Sequence, residues 1–171
     1  MCAIAALASC SQNEDVVTPT GSNAPKAQVI LKLEGDGVAN SRAVGDSEAA
    51  SEDGAAIKDA TVFFFNQTGF IVGAPQFLQA SALQTPIATT TDAAKVVVIA
   101  NIGDKVSEGT FNSIASLSQL QSLDFSSIGA TGSAPDITYT VNQSKDNLYS
   151  SGMGEITFND NTGTATVQLH F

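Results

Sequence analysis

The chain has 171 residues, 43% hydrophobic and only 14% charged, and seventeen acidic against seven basic side chains leave a formal net charge of −10. That length corresponds to about one domain, with or without tails, and is enough to bury a core without disulfides or metals. Seven cations spread over the chain cannot build a phosphate footprint, so nucleic acid is excluded as a partner.

Both cysteines, Cys2 and Cys10, fall in the first ten residues. The body of the chain therefore has no internal disulfide, thiolate nucleophile or cysteine metal site. Residues 1–10 are small, apolar and uncharged, too short to span a bilayer, and give way at once to a polar run from Ser11 to Asp15. Leu7, Ala8, Ser9 and Cys10 resemble a bacterial lipoprotein processing box, in which small side chains precede the cysteine that takes the lipid. Acyl chains there would supply about 0.8 kcal/mol of anchoring per buried CH₂. No basic segment precedes the apolar run, so residues 1–10 read either as a truncated lipoprotein leader or as a plain small-residue segment. Residues 11–25 mix Asn, Asp, Thr, Pro, Gly and Ser and read as a flexible tether.

The folded body is expected over residues 26–171. Residues 27–34 alternate, with Val29, Leu31 and Leu33 on one side, Gln28, Lys32 and Glu34 on the other, and only Ile30 breaking the pattern. That is a strand with one fairly polar face. Residues 35–56 offer little to bury, being small residues and the acids Asp36, Asp46, Glu48, Glu52 and Asp53. Within them stands Arg42, the only arginine, which is either a surface cation offsetting nearby acids or the residue before a protease-accessible bond to Ala43. Residues 60–66 are apolar on both faces and predict a central strand, with a turn at 66–69 and a hairpin partner at 70–72. Residues 73–94 stay open between short helical turns carrying Phe77, Leu78 and Leu83 and a loop through Thr89. A second central strand is predicted at 95–101.

A helix is predicted from Thr110, its cap, to Leu123, because Phe111, Ile114, Leu117, Leu120 and Leu123 recur every three residues. Three short strands then follow at 137–141, 154–158 and 164–171, the last entered through a tight turn at 159–163. In that last strand Ala165, Val167, Leu169 and Phe171 face one way and Thr164, Thr166, Gln168 and His170 the other. A well-formed strand stopping at Phe171 leads us to expect that a longer parent continues. Six or seven short strands and one helix suggest a two-sheet antiparallel sandwich.

Catalytic constellations are absent: no P-loop, dinucleotide fingerprint, His-Glu-x-x-His or nucleophile elbow occurs. His170 is the only histidine, and its place on the outer face of a terminal strand makes it an exposed structural residue. Most acids lie in turns or flexible segments, where they stay solvated, unlike a general acid. The turn at 159–163 has a single carboxylate, Asp160, too few for a calcium loop. No catalytic residue, metal site or cofactor is expected.

In order and spacing, the box ending at Cys10, the strand at 27–34, Arg42 and Ala43 in an acidic loop, the strands at 59–66 and 95–101 and the helix at 110–123 resemble the N-terminal domain of the fimbrillin-type major fimbrial subunits of Bacteroidetes. The resemblance implies two transthyretin-like β-sandwich domains, of which this chain holds the first, here with about seven strands and one short amphipathic helix. It implies export as a lipoprotein through Cys10 to the outer membrane and cell surface, cleavage after Arg42, and loss of the first strand. The vacated groove, plugged until then by Val29, Leu31 and Leu33, would accept a strand from another subunit and so build a homopolymeric fimbria. Host or bacterial surface ligands would be its outward partners. Competing readings are a non-polymerising surface lipoprotein that binds glycan or protein, and a fimbrial anchor or tip subunit. Assembly in this form requires the stretch from Val29 to Leu33 to be a peelable edge, not a strand wedged between two others.

Overall fold

A computed structural model describes residues 23–36, 42–43, 57–139 and 149–170. Among these, the strands are β1 (Lys26–Asp36), β2 (Arg42–Ala43), β3 (Asp59–Phe65), β4 (Gln76–Gln79), β5 (Ile87–Thr90), β6 (Lys95–Ala100), β7 (Ala130–Thr131), β8 (Thr138–Tyr139), β9 (Ser150–Glu155), β10 (Thr157–Asn159) and β11 (Thr162–His170). Two five-residue helices, α1 (Glu108–Asn112) and α2 (Leu117–Gln121), lie between β6 and β7. One sheet runs β10-β11-β1-β2, with β5 also paired to β1; a second runs β4-β3-β6-β9, and β7 pairs β8 in a two-stranded ribbon. The mainly β sandwich expected from the sequence is what forms. No helix among the described residues is long and apolar enough to cross a membrane.

The second sheet is covered on both faces, which explains its continuous apolar strands. Val62 and Phe64 of β3 and Val96 and Val98 of β6 face the first sheet, where they pack with Val29, Leu31, Ala165, Val167 and Leu169. Their neighbours Phe63, Phe65, Val97 and Ile99 face the other way, into a second cluster closed by Phe111, Ile114, Leu120, Phe125 and Ile137. The molecule thus has three layers: sheet, sheet, and a cover of short helices and loops. Phe111 meets Phe63 edge-on, with ring centroids 5.4 Å apart.

Several predicted elements differ in detail. The apolar stripe at 110–123 is divided between α1 and α2, because Ser116 turns its side chain to accept the Gln119 N–H and starts a new helix. The cap of α1 is Ser107, which accepts from Thr110 N–H, rather than Thr110 itself. Residues 70–72 do return antiparallel to the end of β3, with Asn66 N–H bonding Phe70 O and Val72 N–H bonding Phe64 O, each at 2.8 Å. The pairing is a single bridge, Phe65 to Ile71, and Phe70 bridges Ser116 as well. Phe77 and Leu78 sit on a strand, β4, and Thr89 and Thr90 belong to β5. The strand expected at 154–158 is divided: β9 belongs to one sheet, β10 to the other, and the chain crosses at Ile156, whose N–H bonds Ala94 O at 2.9 Å.

β9 and β11 close one corner of the sandwich. A Cβ on Gly152 would lie 1.9 Å from the Gln168 carbonyl oxygen, and one on Gly154 would lie 2.3 Å from that of Thr166. Only glycine admits so close an approach of two backbones.

Candidate functional site

The alternation read in residues 27–34 sets the geometry of β1. Val29 and Leu31 have no exposed surface and Ala27 only 9%; Leu33 is partly buried against the same core. Gln28, Ile30 and Lys32 are on the outer face, with Ile30 38% exposed. At about 1.5–3 kcal/mol for each fully buried aliphatic side chain, Val29 and Leu31 alone contribute several kcal/mol to the closed core.

The lateral neighbours of β1 overturn the expectation of a peelable edge. On one side β11 pairs with it in parallel for nine residues, from Gln28↔Thr162 to Asp36↔His170. On the other, Lys26 to Val29 pair antiparallel with Thr90 to Ile87 of β5, and Lys32 and Leu33 with Ala43 and Arg42 of β2. β1 is therefore an interior strand, wedged between two others over its N-terminal half. The sequence pattern reports which face a side chain takes, not which strands flank it or in which direction they run. The parallel β1–β11 pair is likewise a departure from a purely antiparallel sandwich. It joins the first and last described strands, whose long separation in the chain places no limit on direction. On its outer face the Gln168 amide donates to the Glu34 carboxylate.

Arg42 and Ala43 thus lie with their backbone extended against β1. Cys10, with residues 1–22, lies outside the described residues, as do residues 37–41 and 44–56. The backbone of His170 ends β11 beside Asp36. Among the described residues no group of three or more His, Cys, Asp and Glu could hold a metal. Among the described residues the buried polar ones are Thr61, Asn101, Ser150 and Ser151, none of them a carboxylate. One carboxyl, on the exposed Asp124, is held below its usual range by the backbone N–H of Ser126, with help from the Ser126 hydroxyl. That is the arrangement of a turn cap rather than of a general acid.

Residues 27–171 match the family model described as major fimbrial subunit protein (FimA). The crystal structure of a Bacteroides eggerthii protein, described as a candidate cell adhesion protein, is 28% identical over 87% of this chain and 42% of its own, with a TM-score of 0.58. Two Bacteroides thetaiotaomicron structures, described as a candidate polysaccharide-binding protein and a candidate adhesin, are 13% and 12% identical. They cover 84% and 86% of this chain and 46% of their own, and their TM-scores of 0.41 and 0.37 carry no argument. No curated protein matches. The chain spans less than half the length of the solved structures it matches. The chain belongs to the major fimbrial subunit protein (FimA) family.

Proposed function

We propose that this chain is one domain of a surface fimbrial subunit, delivered to the outer membrane as a lipoprotein through Cys10 and joined to its neighbours by replacement of β1. Cleavage between Arg42 and Ala43 would sever the only covalent link that β1 has to the later strands. The observation that supports this reading is that β1 buries Val29 and Leu31 completely while reaching β3 only through residues 37–58.

Its interior position changes how replacement must run. Cleavage alone does not free β1, since the ladders to β11 and β5 remain. An incoming strand must displace it, and then gains backbone partners on both walls of the slot over its N-terminal half, which an edge would not offer. Replacement is accordingly slower to start and tighter once made. The incoming strand must alternate, with small or aliphatic side chains at the places of Ala27, Val29, Leu31 and Leu33.

The test uses the intact exported subunit. An arginine-specific protease should give a product beginning at Ala43 that forms linear polymers, while Arg42→Ala stays uncut and monomeric. A cut subunit that remains monomeric at high concentration contradicts the proposal.

A further inference from the structure

On the face of the second sheet turned away from the first, β3 and β4 place two cross-strand pairs side by side, Asp59 with Gln79 and Thr61 with Phe77. The loop leading into α1, carrying Asp104, and the first residue of α1, Glu108, rise beside them and line a cleft of about 320 Å³. The wall is pinned to the floor. Asn101 N–H bonds Asp59 O at 2.9 Å, Asn101 Oδ1 accepts from Lys58 N–H at 2.8 Å, and Gly103 N–H bonds Asp59 Oδ1 at 2.8 Å. Positive φ at Asn101 and Gly103 brings the chain round for these contacts.

We propose that this cleft binds a neutral pyranoside. Phe77 is 37% exposed and is backed by Phe111, its ring centroid 6.2 Å away. It offers a supported apolar ring for the C–H face of a sugar. Thr61, only 5% exposed, lines the floor of the cleft. Its hydroxyl can donate to or accept from a sugar hydroxyl there. Asp59 spends one oxygen on Gly103 and keeps the other to accept from a sugar hydroxyl, beside the Gln79 amide and the Asp104 and Glu108 carboxylates.

The same composition excludes other ligands. No Lys, Arg or His lines the cleft, so phosphorylated, sulfated or sialylated groups would meet only negative charge. The carboxylates do not converge as a metal site; they are spread around the rim, as separate hydroxyls require. The volume is at the small end of the roughly 300–1,000 Å³ of ligand sites, which suits one or two sugar rings. None of these residues belongs to β1 or its partners, so the inference does not rest on strand replacement.

The test is an NMR titration of the ¹⁵N-labelled full chain, in EDTA, with the methyl glycosides of galactose, glucose and mannose. Sialyllactose, and calcium chloride without EDTA, serve as comparisons. At least one neutral glycoside should shift the Thr61, Gln79 and Gly103 amides saturably, with a Kd of roughly millimolar order. Phe77→Ala should weaken that binding about tenfold. Thr61→Val and the exposed Asp104→Asn should weaken it at an unchanged melting temperature, so a folding defect in one variant does not decide the outcome. Absence of shifts with every neutral glycoside, an equal response to sialyllactose or calcium, or full affinity in all three variants would overturn the proposal.

Discussion

Replacing Leu31 by alanine, beside the same change at Ile30, asks whether β1 is the lid of the core. Leu31 has no exposed surface and packs among Val62, Phe64, Val96 and Val167. Buried Leu→Ala changes cost about 2–5 kcal/mol, the upper part applying where the surroundings cannot collapse into the cavity. Here the strands on both sides of β1 hold its backbone in place, so we expect about 3–4 kcal/mol. Ile30 points outward at 38% exposure, and its truncation removes only lateral contacts and strand preference, about 1 kcal/mol or less. For a domain of this size about 2–4 °C is lost per kcal/mol, so Leu31→Ala should lower Tm by about 6–16 °C and Ile30→Ala by a few degrees. Urea unfolding monitored by circular dichroism, with both midpoints and slopes, measures the difference. Equal losses, or a larger loss at Ile30, would mean that β1 presents its other face to the core and would refute the register argued above.

Gly152→Ala places a methyl group 1.9 Å from the Gln168 carbonyl oxygen and should cost at least about 1–3 kcal/mol in urea unfolding, as β9 and β11 are forced apart; a neutral change would contradict the corner. Ser116→Ala removes the side chain that caps α2 and should cost about 0.5–2 kcal/mol, restored in part by Ser116→Asp. Asp124 should titrate below an ordinary aspartate in an NMR pH series, because Ser126 stabilises its charged form. With the folded pKa depressed, its small contribution is complete above the unfolded value of about 3.9 and is lost as pH falls through the folded value. A midpoint at or above the ordinary value would refute the cap.

What could be read from the sequence was what a side-chain pattern encodes. Continuous apolar residues at 62–65 and 96–99 marked the doubly covered strands, and alternation at 27–34 and 164–169 gave the inward faces of β1 and β11. Lateral order was not encoded. β5 carries Thr89 and Thr90, which read as loop, yet it is the wall that makes β1 interior. β9 is spelled with serines and glycines because β11 passes too close for larger side chains, so its composition hid it. The helix stripe was real but could not show that Ser116 would start a second helix. The cleft beside Phe77 had no local signature, since Asp59 meets Gly103 across 44 positions of chain.

The claim on which the assembly account depends is that the slot occupied by β1 can be emptied and refilled. Its most direct test is exchange of an isotope-labelled peptide covering residues 26–36 into the chain before and after cleavage at Arg42, followed by mass spectrometry and amide hydrogen exchange at β5 and β11. The cleaved chain should take up labelled peptide in place of its own strand and keep its amide protection, while the uncut chain excludes it. A cleaved chain that never admits the peptide, or that sheds β1 and leaves β5 and β11 equally protected without it, would contradict the account.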